Sequence, residues 1–250
     1  FNKLYMDIIT QKTNLKDEVL RIYKEFIKTL QKYHNEIDSV VKYIIKIDML
    51  TTKAFLAKEF NYCKPIINLD KENSYVDAKS IRHVLIEHIN QDITYIPNDI
   101  NLGDTHNGRL LYGTNAVGKS SLIKSLGISI VMAQSGMYVP ASSFKYKPYQ
   151  SIFTRILGND NIFKGQSTFV VEMSEFTTIL KQSDKNSLII GDEVCSGTET
   201  FSAVSIFASG VVKLSERQSS FIFATHLHEL TKLDIINNLD NVIMNHMTVH

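Results

Sequence analysis

The stretch Gly113-Thr-Asn-Ala-Val-Gly-Lys-Ser120 constrains this chain more than any other. The apolar run Leu110-Leu111-Tyr112 before it reads as a buried strand, and Ser121 to Gln134 after it reads as a helix. Strand, glycine-rich loop, Lys-Ser and helix in that order turn a string match into a phosphate site, the P-loop arrangement. Such a loop curls round a polyphosphate with its N–H groups inward, so Gly113 and Gly118 stand where a Cβ would obstruct the turn. The helix N-terminus adds the positive end of its dipole beneath the phosphates. Lys119 supplies a mobile ammonium for the β- and γ-phosphates, and Ser120 a hydroxyl for Mg²⁺. Asn115 and Ser121 complete the loop residues expected around the nucleotide. The bland alternative, a chance Gly-x4-Gly-Lys-Ser in a surface loop, leaves the flanking strand and helix unexplained.

At 250 residues the chain is long enough for one large domain, or one domain with an appendage. Its 27 basic and 26 acidic side chains leave a formal charge of +1, so no global basic field announces nucleic acid. Cys63 and Cys195 lie far apart in unlike contexts and read as reduced thiols of an intracellular protein, its compartment open. No apolar run approaches membrane-spanning length, and no signal-peptide pattern opens the sequence. A first residue Phe1, not Met, suggests a piece of a longer protein.

Between residues 15 and 60 apolar side chains recur at gaps of three and four, among them Val19, Ile22, Phe26, Leu30, Ile37, Val41 and Ile44. With Asn14 as N-cap and no Gly or Pro before Cys63, the run is one long helix or two with a bend. Periodicity alone does not separate a plain core helix from a lever. Beyond Tyr62 short strands are expected at Pro65 to Leu69, Tyr75 to Ala78 and Ile93 to Ile96, with an exposed hairpin tip from Gly103 to Gly108. Tyr138 to Pro148 reads as irregular, Ile152 to Ile156 as a strand, Gly158 to Gly165 as a polar loop and Phe169 to Gln182 as a helix. Buried strands at Ser187 to Gly191 and Ser220 to Thr225 enclose a helix from Phe201 to Leu214, and Asn241 to Val249 reads as a last strand. Strands alternating with helices predict an α/β fold with a mixed, mostly parallel sheet.

Polar groups suited to nucleotide hydrolysis sit where these strands end. Asp192 leaves the tip of a buried strand and can hold Mg²⁺; Glu193 beside it can polarise the attacking water. An Asp-Glu pair could also be only a helix-capping turn. His226 follows another buried strand, where it can donate to a γ-phosphate; a lone His is more often an ordinary surface or core residue. Ser196-Gly197-Thr198-Glu199-Thr200 precedes a helix, a phosphate-seeking placement. It lies too near Glu193 in sequence to reach comfortably round the same nucleotide, which points to a nucleotide held by a second subunit.

Taken in order, Gly113 to Ser121, Phe153-Thr-Arg155, Gly165-Gln-Ser-Thr-Phe169 through Glu172-Met-Ser-Glu175, Asp192-Glu193 with Gly197-Thr198, and Phe223-Ala-Thr-His226 with Glu229-Leu230 resemble the ATPase domain of MutS mismatch-repair proteins. Asn61-Tyr-Cys-Lys-Pro65, Ile81-Arg-His83, Tyr95-Ile-Pro-Asn-Asp99 and Met132-Ala-Gln134 to Val139-Pro-Ala141 fit the same family, so the resemblance covers roughly residues 40 to 245. It implies an ABC-type P-loop ATPase domain over 61–250, preceded over 1–60 by the ends of long lever helices. It further implies Mg²⁺-dependent ATP hydrolysis catalysed with Lys119, Glu193 and His226, with Ser120 and Asp192 at the metal. Tyr95 takes the place of an aromatic that stacks on adenine, beside Ile96, and Ser167 lies in a loop facing the site. The family works as a dimer with two composite ATP sites, in which Gly197, Thr198 and Thr200 would face the partner's γ-phosphate. ATP binding would then move a DNA clamp carried by other domains, on mismatched or structured duplex DNA. The family's C-terminal dimerisation element and mismatch-reading domain have no counterpart in these residues.

Departures mark a divergent branch. Thr114, Ala116 and Val117 stand where most members have Pro, Met and Gly, Val84 replaces the proline after Arg82-His83, and Glu199 falls where many carry a serine. An acid at 199 cannot donate to phosphate. Rival readings are a non-repair homologue acting on recombination structures, a related ABC-type chromosome-maintenance head or transporter subunit, and a binding module with a degenerate site. The second needs a Ser-Gly-Gly-type signature before a helix, which the sequence lacks; intact Lys119 and Glu193 argue against the third.

Overall fold

The computed structural model describes residues 2–89, 95–114, 117–156, 168–195 and 199–248. The chain divides into two units, Phe1–Phe55 and Leu56–His250. Among the described residues no helix is long and apolar enough to cross a membrane.

The first unit is helical. Helix α1 spans Asn2–Leu30, a single 3-10 turn covers Gln31–Tyr33, and α2 spans His34–Glu59. The run is therefore two α-helices joined by a 3-10 turn that begins at Gln31. Asn14 is not a cap: it lies inside α1, flanked by Thr10 and Thr13, whose hydroxyls donate back to the carbonyls of Met6 (2.9 Å) and Ile9 (3.1 Å) within the helix. Within this chain Val19, Ile22, Phe26, Val41 and Ile44 of the apolar stripe are all exposed.

The second unit contains β1 (Ile66–Ile67), β2 (Tyr75–Ile81), α3 (Val84–Ile89), β3 (Asn98–Leu102), β4 (Gly108–Tyr112) and α4 (Lys119–Gln134). There follow β5 (Ser143–Lys147), β6 (Ser151–Arg155), α5 (Thr168–Gln182), β7 (Ser187–Asp192), α6 (Thr200–Glu216), β8 (Ser220–Ala224), α7 (Asp234–Asn237) and β9 (Val242–His246). The strands form an α/β fold with two sheets. One has the order β6-β7-β8-β4-β9 and is parallel throughout. In the other, ordered β1-β5-β2-β3, β2 runs antiparallel to both its neighbours and β1 parallel to β5.

Parallel strands are covered on both faces, which is why β7 and β8 read as unbroken apolar runs. Alternate residues supply two cores. Leu111, Ile190 and Ile222 pack with Leu122, Ile123, Leu126 and Ile130 of α4 and with the smaller sheet. Leu110, Ile189, Phe221 and Phe223 pack with Phe176 of α5 and Phe207 and Val211 of α6. Each fully buried Phe or Leu here contributes on the order of 1.5–3 kcal/mol. The α4 face that meets Leu111 thereby fixes the direction in which the loop between β4 and α4 must turn.

Three expectations are corrected. Gly103 to Gly108 is no hairpin tip: β3 and β4 belong to different sheets, and the connection is pinned by the Gly103 amide on His106 O at 2.7 Å. Both sides of β4 are taken by β8 and β9, leaving none for β3. The stretch Tyr138 to Pro148 holds strand β5, in which Phe144 and Tyr146 are buried and Lys145 is exposed. Of the strand expected at Ile93 to Ile96, Tyr95 and Ile96 are irregular, and the remainder lies outside the described residues.

Candidate functional site

In a parallel sheet all strands present their carboxyl ends at one edge, where ligands of such folds bind. Register places Leu111 and Asp192 both opposite Ala224, so β4, β7 and β8 end level with one another. The backbone continues the alignment past the strands: the Thr225 amide donates to Leu111 O (3.0 Å) and the Glu193 amide to Ala224 O (2.9 Å). The glycine-rich loop, the Asp192-Glu193 pair and His226 therefore leave neighbouring strands at one level.

On the loop side both glycines hold a φ that L side chains rarely adopt, +153° at Gly113, where room is lacking as well. A Cβ on Gly113 would lie 2.8 Å from the Met247 carbonyl oxygen and 3.0 Å from Val117, so space excludes it. Gly118 has open space but φ +96°, a conformation that L side chains rarely adopt. Gly118 caps α4, whose first residue is Lys119. Lys119 is only 5% exposed, and its ammonium donates to the carbonyls of Gly113 (2.7 Å) and Thr114 (2.9 Å). An ammonium has three donors, and acceptors among the described residues take two of them. Ser120 and Ser121 are half-buried on the first turn of α4.

At the end of β7, Asp192 is 7% exposed and its Oδ1 is buried without a hydrogen-bond partner among the described residues. Burying a carboxylate oxygen unpaired is expensive, and a cation is the natural remedy. Among the described residues no three His, Cys, Asp or Glu side chains converge into a self-sufficient metal cage. A single orphaned carboxylate oxygen fits a hard ion that keeps most of its waters, as Mg²⁺ does.

Glu193 and His226 meet directly. Nε2 of His226 hydrogen-bonds Oε1 of Glu193, and because a carboxylate only accepts, Nε2 carries the proton. Both side chains remain partly open to solvent. The turn that aims Glu193 is strained: Glu193 has φ +54° and Cys195 φ +67°, neither being glycine. Such residues cost of order 1–3 kcal/mol each and persist where the surroundings over-determine them. Burial and the Glu172 charge push the Cys195 thiol up to about 12, so it is not a nucleophile near neutrality.

Tyr95 is half-buried; burial raises its phenol pKa, while the Ser125 hydroxyl of α4 opposes that shift. Ile96 beside it is exposed. Glu199 is exposed at the N-cap of α6 with no side-chain capping bond, and Thr200 is the first residue of that helix. Asn115, Ser167, Gly197 and Thr198 lie outside the described residues, as does the side chain of Thr200. Sequence reasoning gave no place in the site to Met247, whose amide donates to Tyr112 O (2.7 Å) under the loop, nor to Thr225, whose hydroxyl accepts the Leu227 amide (3.0 Å) beyond β8. The Met247 contact joins distant positions and leaves no local signal, whereas the Thr225 contact is a local turn that a threonine at a strand end can signal.

The family description MutS domain V matches residues 109–250. The chain is 39% identical to a mutS homologue of Acanthamoeba polyphaga mimivirus over 90% of its own length and 24% of the relative's. It is likewise 39% identical to the mitochondrial DNA mismatch repair protein mutS homologue of Sarcophyton glaucum, over 86% of this chain and 22% of that one. With the DNA mismatch repair protein MutS of Lactobacillus helveticus it shares 36% identity over 88% of its length and 24% of the relative's. The chain thus spans about a quarter of the length of these curated relatives.

Proposed function

This chain belongs to the MutS family of DNA mismatch repair proteins, and from that premise we propose that it binds ATP and hydrolyses it to ADP and phosphate. The observation that supports this reading best is the single sheet edge shared by the Gly113–Ser120 loop, the orphaned oxygen of Asp192 and the Glu193–His226 pair. Loop amides and the Lys119 ammonium bind the β- and γ-phosphates. Ser120 and Asp192 would hold Mg²⁺, which when bound neutralises phosphate charge. Glu193 orients the attacking water as a base. His226, donating to Glu193, fixes that carboxylate and stands ready to donate to the γ-phosphate instead. In this reading residues 61–250 form an ABC-type P-loop domain and the preceding helices are levers through which ATP binding reaches DNA bound elsewhere in the protein. The direct test is phosphate release from ATP by the chain, which should require Mg²⁺ and stop with EDTA. A chain that neither binds nor cleaves ATP sinks the proposal.

Tyr95→Ala should weaken ATP binding by roughly 1–3 kcal/mol, if its half-exposed ring stacks on adenine as aromatics stack on nucleic-acid bases. Calorimetric titration with ATP reads this directly. An unchanged Kd with a lowered melting temperature would instead place Tyr95 in the packing against α4.

The family's composite sites would set Glu199 near a partner's γ-phosphate. There its exposed charge, unrelieved by any capping bond, repels the nucleotide. A γ-phosphate shared between two subunits makes dimerisation depend on ATP, and Glu199→Ser, which removes a like charge beside that phosphate, should strengthen it. Mass in solution of the Glu193→Gln chain, with and without ATP, measures this; a nucleotide-independent dimer refutes it.

A further inference from the structure

The turn from Glu193 to Cys195 is strained at both ends, so something must hold it. At its start the Glu193 amide is tied to Ala224 O at 2.9 Å. At its end the Cys195 amide donates to Oε1 of Glu172 at 2.8 Å, and Glu172 comes from α5, on a different stretch of the chain. Glu172 is only 5% exposed. A buried carboxylate needs compensation, and Arg155 at the end of edge strand β6 provides charge, its Nε 3.9 Å from Glu172 and 3.3 Å from Glu175. Arg155 in turn lies opposite Gly191 in the parallel register, one residue before Asp192. The strained turn is thus clasped between β8, through its amide at 193, and the Arg155–Glu172 pair, through its amide at 195.

The geometry points to Glu172 as a positioning residue: by accepting the Cys195 N–H, it keeps Glu193 in its left-handed conformation and so keeps that carboxylate on His226. Glu172 acts through the backbone, with its charge offset by Arg155. The inference rests on the ATPase reading given above.

Two conservative variants separate this role from a merely structural one. Glu172→Gln keeps an oxygen that can accept the Cys195 amide but loses the charge. Glu172→Asp keeps the charge but withdraws the acceptor by about 1.5 Å, one C–C bond. For the Gln variant kcat for ATP should stay within about 3-fold of the parent. For the Asp variant kcat should fall roughly 10–100-fold while the Kd for ATP moves less than about 3-fold, the split expected when only a step after binding is disturbed. Hydrogen exchange at the Cys195 amide, which needs no nucleotide, should be at least about 10-fold faster in the Asp variant than in the parent or the Gln variant. The opposite order, with Gln impaired and Asp not, would mean that charge on Arg155 is what matters and would overturn the inference. So would parallel loss of kcat and ATP affinity, or equal amide exchange in all three chains. Those failures leave ATP turnover by the parent intact; a parent with no turnover sinks the ATPase reading and the positioning role together.

Discussion

Glu193→Gln is expected to bind ATP with close to parental affinity and to release phosphate about 10²–10⁴-fold more slowly, the usual contribution of one positioned general base. Glutamine keeps the size of the side chain and can keep the contact with His226, but it cannot accept a proton from water. The interaction it removes exists only in the transition state, so kcat should fall and binding should not. The backbone argues for the same split: the Glu193 amide stays on Ala224 O whatever the side chain, so the substitution need not disturb the loop or Asp192. Single-turnover phosphate release alongside a nucleotide titration measures both quantities. Loss of binding together with turnover would make Glu193 a folding or metal residue.

Lys119→Ala should have the opposite signature, with binding itself lost. A charge-assisted contact to phosphate is worth about 1.5–3 kcal/mol, which is roughly 10–150-fold in Kd. The fold adds a second reason. Lys119 is buried and bonds the carbonyls of Gly113 and Thr114, so its removal also strips the loop of its internal tie and leaves two carbonyls short of a donor. The measured loss should therefore reach or exceed the upper end of that range. Thermal melting without nucleotide separates the contributions: the melting temperature reports the loop's tie, and the titration reports phosphate binding. An unchanged ATP affinity would remove the loop from the nucleotide site.

What could be read from the sequence was whatever repeats or clusters locally. The strands β4, β7 and β8 announced themselves because burial on both faces demands consecutive apolar residues, and the polar residues ending each run had nowhere to lie but the sheet edge. Strand β5 was missed although its alternation is plain, because Pro140 and Pro148 on either side read as irregular chain. The start of α1 was misplaced for the converse reason: Asn14 looks like a cap, yet nothing before it stops a helix. Within the site, Lys119, Asp192, Glu193 and His226 were nameable from strand–loop order. The left-handed turn at Glu193 and Cys195 was not, since neither residue type favours it, and its tie to Glu172 joins positions brought together only by the packing of α5.

The placement of β9 has a consequence for the order in which this site can be made. Strand β4, which carries the loop, takes both of its neighbours from far downstream: Gly108 aligns with Phe221 on one side and with Val242 on the other. The smaller sheet pairs β2 with β3 and β5, segments nearer to one another in the chain. Parallel pairing across long separations is slow, because chain closure must be completed before any contact rewards it. On a ribosome the order is imposed outright, as synthesis runs at only about 5–20 residues per second. Until residues 220–246 have emerged, β4 is an unpaired apolar edge, the kind of surface that invites misassociation. The loop from Gly113 to Ser120 is thus among the last features of this unit to close, and a ribosome stalled before Val242 would present its strand without its outer neighbour.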